Sequence, residues 1–175
     1  AYLLADIAGP AETINVLLSR SRSVIDTVVG ESAHDRDALW RYREDHTLAI
    51  NTFGPPKKFD VRVPIDRCAD FLESVRARIT TSDPDAIVIS FGHICDGNLH
   101  VNVARSTDAA CEAIVYEQVE SHGGSIVAEH GVGSLKAERY LNSLTPADKA
   151  RFADAKKYCD PLGIMNPGVA FAVAR

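Results

Sequence analysis

Apolar positions along the chain repeat with two spacings, and each stretch declares one of them. Residues 2–8 (YLLADIA) form an apolar run that reads as a strand, stopped by Gly9-Pro10. Pro10 suits the first turn of a helix, and residues 11–26 place Ile14, Leu17, Leu18 and Ile25 among polar positions as a helix does. Thr27-Val28-Val29 is a β-branched run that predicts a short second strand. Helical spacing returns from Asp35 to about Asn51, through Leu39, Trp40, Leu48 and Ile50, until Gly54-Pro55-Pro56 breaks it. Residues 59–64 (FDVRVP) alternate apolar and polar, so they predict a strand with one buried face.

An amphipathic helix is expected from Ile65 to about Thr80, ended by Ser82-Asp83-Pro84. Two apolar runs follow, 86–92 and 99–103, around the turn residues Asp96-Gly97-Asn98. Residues 108–121 predict another helix, closed by Gly123-Gly124. A short extended piece, 125–128, and a helix over 135–144 come next. Thr145-Pro146-Ala147-Asp148 then supplies a cap, a first-turn proline and an acid three positions on, which starts the last long helix. The tail closes with the turn Asn166-Pro167-Gly168. The predicted order is β-α-β-α-β-α-β-β-α plus a helical tail. A direct hairpin excludes a purely parallel sheet. The expected class is α+β: one mainly antiparallel sheet, helices packed on one face, and a helical C-terminal tail.

Composition narrows the function more than the fold. The chain has 175 residues, 46% hydrophobic and 25% charged, as expected of one globular domain over 1–175. Nineteen basic against 24 acidic residues leave a net charge of −5, which argues against a nucleic-acid partner. No apolar run reaches the roughly 18 residues of a membrane span, so no transmembrane segment is expected. The opening AYLLADIAGP has no signal-peptide pattern. Cys68, Cys95, Cys111 and Cys159 form no CxxC pair; they read as reduced thiols and suggest a cytoplasmic location. The only methionine is Met165, so either an initiator was trimmed before Ala1 or, the favoured reading, the chain is a piece of a longer protein.

Chemistry concentrates in Gly92-His93-Ile94-Cys95-Asp96-Gly97-Asn98-Leu99-His100-Val101-Asn102. If Asp96-Gly97 forms a two-residue turn, Cys95 faces Asn98, Ile94 faces Leu99 and His93 faces His100, with Cβ atoms roughly 4.5–5.5 Å apart. Asn102 would share that face. Two imidazoles so placed can chelate one divalent cation; a half-buried histidine pair on a polar sheet face is the simpler alternative. Glu129-His130-Gly131 offers the missing carboxylate and a base, provided that the chain bends, as Gly131 and Gly133 allow. On spacing alone an exposed acidic turn is the better reading. Arg43 and Thr47 are four apart on a predicted helix, and an arginine fork over a hydroxyl suits a carboxylate ligand. A surface arginine paired with Glu44 or Asp45 fits the same spacing. Lys58 follows as a further cation.

Taken together, GHICDGNLHVNV, SIVAEHGVG about thirty residues later, the NPG of the tail, LWRYRE at 39–44 and KFDVRVP at 58–64 resemble the C-terminal substrate domain of FAD-linked oxidases. This is the family of D-lactate, D-2-hydroxyglutarate and glycolate dehydrogenases, and the resemblance covers essentially the whole chain. It implies a ferredoxin-like fold and a flavoprotein that oxidises a D-2-hydroxy acid to the 2-oxo acid. It implies that His93, His100 and Glu129 bind zinc, manganese or a similar ion, and that His130 is the base. Arg43, Thr47, Lys58 and Asn102 would contact the small substrate's polar groups, and Asn166 the cofactor. FAD would be held mostly by an N-terminal FAD-binding domain of the same protein, absent from this chain, which would leave the chain inactive alone. Cys95 stands where the family commonly has glycine, and Val169 where many members carry lysine. A non-catalytic binding or assembly subunit of the same fold and a metal-dependent hydrolase are the alternatives; a homodimer is left open.

Overall fold

The computed structural model describes residues 2–7, 9, 12–20, 23–106, 109–167 and 169. It divides into two units, residues 1–52 and 53–175, each taken in turn. The first holds α1 (Glu12–Arg20), α2 (Ala33–Glu44) and α3 (His46–Asn51). Ser32 starts α2 with a capping box: its hydroxyl accepts the Asp35 N–H at 3.1 Å, and the Asp35 carboxylate accepts the Ser32 N–H at 3.1 Å. The expected continuous helix is interrupted at Asp45, which keeps near-helical angles (φ −75°, ψ −6°) and donates its N–H to Arg41 O.

Both strands expected in this unit fail to form. Residues 2–7 and 27–29 join no ladder, and Ala8 and Pro10 lie outside the described residues. Tyr2, Leu3 and Val28 stand exposed. A short apolar run becomes a strand only where another backbone satisfies its N–H and C=O groups, and these runs find none among the described residues of the unit.

The second unit is built on β1 (Lys57–Arg62), β2 (Ile87–His93) and β3 (Asn98–Ala104), which form an antiparallel sheet in the order β1-β3-β2. A 3₁₀ turn (Ile65–Arg67) and α4 (Cys68–Ser82) connect β1 to β2, and α5 (Ala110–Ser121) follows β3. After α5 the chain returns to the free edge of β1, where Ser125 and Arg62 exchange both backbone hydrogen bonds, at 2.7 and 2.9 Å. This bridge occupies the position of a fourth strand, which completes the βαββαβ order of a ferredoxin-like α+β fold. The rest is α6 (Ala137–Ser143) and α7 (Pro146–Cys159). Thr145 caps α7, its hydroxyl accepting the Asp148 N–H at 3.1 Å.

One sheet face is the core. Phe59, Val61, Leu99, Val101 and Val103 meet Phe71, Val75 and Ile79 of α4 and Cys111, Val115 and Val119 of α5, all buried. Phe59 also meets Tyr116 edge to face, centroids 5.5 Å apart. Each such side chain contributes about 1.5–3 kcal/mol on burial, so the helix-covered face dominates the stability of this unit. Period-2 alternation sends the polar residues of the same strands to the opposite face. Their register sets three cross-strand rows there: Lys58–Asn102–Ile89, Asp60–His100–Phe91, and Arg62–Asn98–His93.

Candidate metal and proton-transfer site

The hairpin between β2 and β3 differs from the two-residue turn expected of Asp-Gly. The turn spans Ile94–Gly97, so His93 stands opposite Asn98, and His100 stands opposite Phe91. A two-residue turn of that kind needs positive φ at both central residues. Only Gly97 adopts it (φ +72°); Asp96 instead uses its carboxylate to accept the Asn98 N–H at 3.0 Å. The tip is pinned to β1, since Val63 N–H donates to Gly97 O at 3.0 Å and Arg62 Nε donates to Asp96 O at 3.1 Å. A register shift of two preserves the face, so both histidines still point away from the core.

Glu129 meets them both. Its Oε1 lies 3.3 Å from Nδ1 of His93, and its Oε2 lies 3.7 Å from Nε2 of His100. His130, the next residue, reaches the same face: its ring stacks on His100 with centroids 5.6 Å apart. Neighbours on a regular strand could not do this. The chain bends through residues 128–130, and Gly131 and Gly133 follow at φ +71° and +58°. Phe91 also lies against His100, ring centroids 5.1 Å apart.

Beneath the histidines lies Asp60, a residue that motif reading missed. Its Oδ1 accepts the Asn98 amide at 3.2 Å and its Oδ2 accepts the His130 N–H at 2.8 Å. Burial alone would push this carboxyl up, but the His130 N–H, the Asn98 amide and the nearby imidazoles outweigh it and hold the carboxyl below its ordinary value. Lys136 was missed as well. Its ammonium donates to Asp60 O at 3.1 Å and Ile126 O at 2.9 Å, which fastens the Glu129–His130 segment to β1. Burial lowers the Lys136 pKa, with Asp60 and Glu112 opposing. Alternation in FDVRVP already put Asp60 on the polar face; only strand pairing puts it opposite His100.

The donors could serve a cation in two ways. Asp60, His100 and His130 each offer a ligand atom within 4.8 Å of one another. Asp60 is 4% exposed, however, and both its oxygens already accept hydrogen bonds, whereas Glu129 is 46% exposed. The carboxylate that can still be approached is that of Glu129, with His93 and His100 beside it. Two imidazoles and a carboxylate suit zinc or manganese. Asn98 Oδ1 is buried nearby without a hydrogen-bond partner among the described residues.

The remaining expected residues fall in three places. Lys58 and Asn102 form one row of the polar face, Lys58 exposed and Asn102 buried with its amide 3.4 Å from the carbonyls of Ile89 and His100. Arg43 and Thr47 belong to the first unit, on α2 and α3 respectively rather than on one helix. Asn166 has φ +47° and accepts the Val169 N–H at 3.3 Å in the tail turn, whose Gly168 lies outside the described residues.

A family model described as "FAD linked oxidases, C-terminal domain" matches residues 1–170. The chain belongs to this family. Among curated proteins, this FAD-linked oxidase domain is 34% identical to the mitochondrial D-2-hydroxyglutarate dehydrogenase of Arabidopsis thaliana, over 95% of the chain and 32% of that protein. It is 36% identical to the D-2-hydroxyglutarate dehydrogenase of Stutzerimonas stutzeri, over 85% of the chain and 34% of that protein. Against the mitochondrial D-2-hydroxyglutarate dehydrogenase of Bos taurus the identity is 35%, over 95% and 32%. The domain thus spans about a third of the length of these relatives. Among its described residues no helix is long and apolar enough to cross a membrane, and its four cysteines are free thiols.

Proposed function

We propose that this domain binds substrate in a flavin-dependent dehydrogenase that oxidises a D-2-hydroxy acid to the 2-oxo acid. Of the lactate, glycolate and 2-hydroxyglutarate types, 2-hydroxyglutarate is favoured by the names of the relatives. The observation that carries the reading is the convergence of Glu129 on His93 and His100 with His130 stacked alongside. His93, His100 and Glu129 would hold a divalent cation, zinc or manganese. When bound there, such a cation would supply Lewis-acid polarisation of a substrate oxygen, and FAD, held mainly by an FAD-binding domain of the same protein, would supply the hydride-accepting chemistry.

The chain's own residues have separate tasks. His130 would take the proton of the 2-hydroxyl as general base. Lys58 and Asn102, side by side on the polar face, would orient a substrate carboxylate; Arg43 and Thr47, in the first unit, would offer a guanidinium and a hydroxyl to a carboxylate ligand. Asn166 would contact the cofactor. Free cysteines suit a reducing compartment, the cytoplasm or, as for the plant and bovine relatives, the mitochondrion.

The test is His130→Ala in the full-length flavoprotein. Turnover should fall by roughly 10²–10⁴-fold with the cation retained. A near-normal rate would remove His130 from the role of base.

A further inference from the structure

Asp60 does more than cap backbone. It is buried at the centre of the polar face, and its two oxygens turn to different histidines. Oδ1 lies 3.5 Å from Nδ1 of His100, and Oδ2 lies 3.7 Å from Nδ1 of His130. The other nitrogen of His100, Nε2, faces Glu129. Asp60, closer and buried, outweighs the half-exposed and solvent-screened Glu129 and favours the proton on Nδ1, which leaves the Nε2 lone pair available. The same logic applied to His130 leaves its Nε2 as the proton acceptor. Removing a carboxylate from water is costly, and an amide or hydroxyl at this position could accept the same N–H donors at less cost. The negative charge therefore has a use that hydrogen-bond satisfaction does not explain.

We propose that Asp60 is the positioning residue of the site, holding His100 and His130 in the tautomers that present Nε2, and so coupling the cation-binding edge to the base. The inference rests on the function proposed above. Asp60 also receives the backbone N–H of His130 on its carboxylate and the Lys136 ammonium on its carbonyl, so one residue sets both the ring states and the height of the segment above the sheet.

Asp60→Asn tests this in the full-length flavoprotein, because it keeps an oxygen for the His130 N–H and removes the charge. Affinity for added zinc and kcat should each fall roughly 10–100-fold, with KM moving less than about threefold. Nitrogen-15 chemical shifts of the metal-free wild type should show His100 protonated on Nδ1, and the variant should shift toward the other tautomer. Unchanged zinc affinity, kcat and tautomer in Asp60→Asn, with an active zinc-binding wild type, would overturn the assignment and leave the proposed function standing. A wild type that binds neither zinc nor manganese would overturn both. Should the variant not fold, the wild-type spectrum decides alone: His100 protonated on Nε2 refutes the role.

Discussion

The carboxylate of Glu129 lies 3.3 Å from Nδ1 of His93, although one residue follows the last core helix and the other ends an edge strand. Both are half exposed, so their mutual attraction in water is worth little and does not by itself explain the approach. The cation proposed above would hold the two together. Glu129→Gln keeps the shape and removes the charge. Losing an outer partner of a metal ligand costs roughly 10–100-fold in affinity, and loss of a direct ligand should cost at least about as much. Metal analysis after dialysis against a graded chelator would measure it. An affinity equal to wild type would exclude Glu129 from the ligand set.

Gly97 stands where the hairpin tip crosses β1, at φ +72°, and a Cβ there would sit 2.0 Å from Val63 O. Gly97→Ala adds a left-handed non-glycine residue, which costs of order 1–3 kcal/mol, and a backbone clash that no rotamer relieves. We expect a loss of at least about 2 kcal/mol in urea unfolding, together with weaker cation binding as the tip carrying His93 lifts from β1. An unchanged midpoint would show that the tip can move aside freely.

Asp160 terminates α7 and organises the tail, accepting the Lys156 ammonium at 2.8 Å and the N–H groups of Ile164 and Met165, each at 3.0 Å. The Lys156 hydrogen bond, opposed by burial and assisted by the two amides, holds its carboxyl below the ordinary value. A depressed folded pKa contributes stability fully present above the unfolded value, about 3.9, and lost as pH falls through the lower folded value. The 160–166 turn should therefore hold at neutral pH and open in strong acid. Asp160→Asn should open it at pH 7, read as faster hydrogen exchange at Ile164 and Met165. Equal exchange in variant and wild type would mean that the turn is held by other contacts.

Much of the fold was legible because periodicity and caps are local. The alternation around Phe59 and Val61, the apolar stripe Phe71-Val75-Ile79 and the Thr145–Asp148 cap all appear as the residues alone predict. Residues 2–7 and 27–29 misled for the complementary reason: a β-branched or apolar run specifies willingness to pair, and pairing needs a partner. Between these lies the hairpin. Its existence was legible in Asp96-Gly97, but its register depended on Val63 and Arg62 reaching across from β1 to hold the tip.

The site divides along the same line. Face is a matter of parity, so the residues of each strand alone determined that His100 and Asn102 point one way and that Asp60 shares a side with Lys58 and Arg62. Family membership, too, was written in the motifs. Which of these residues meet was decided only in three dimensions, by the antiparallel pairing of β1 with β3 and by the bend that lowers Glu129 and His130 onto the sheet. Those contacts join stretches far apart in the chain, and no local preference of either stretch encodes the distance between them.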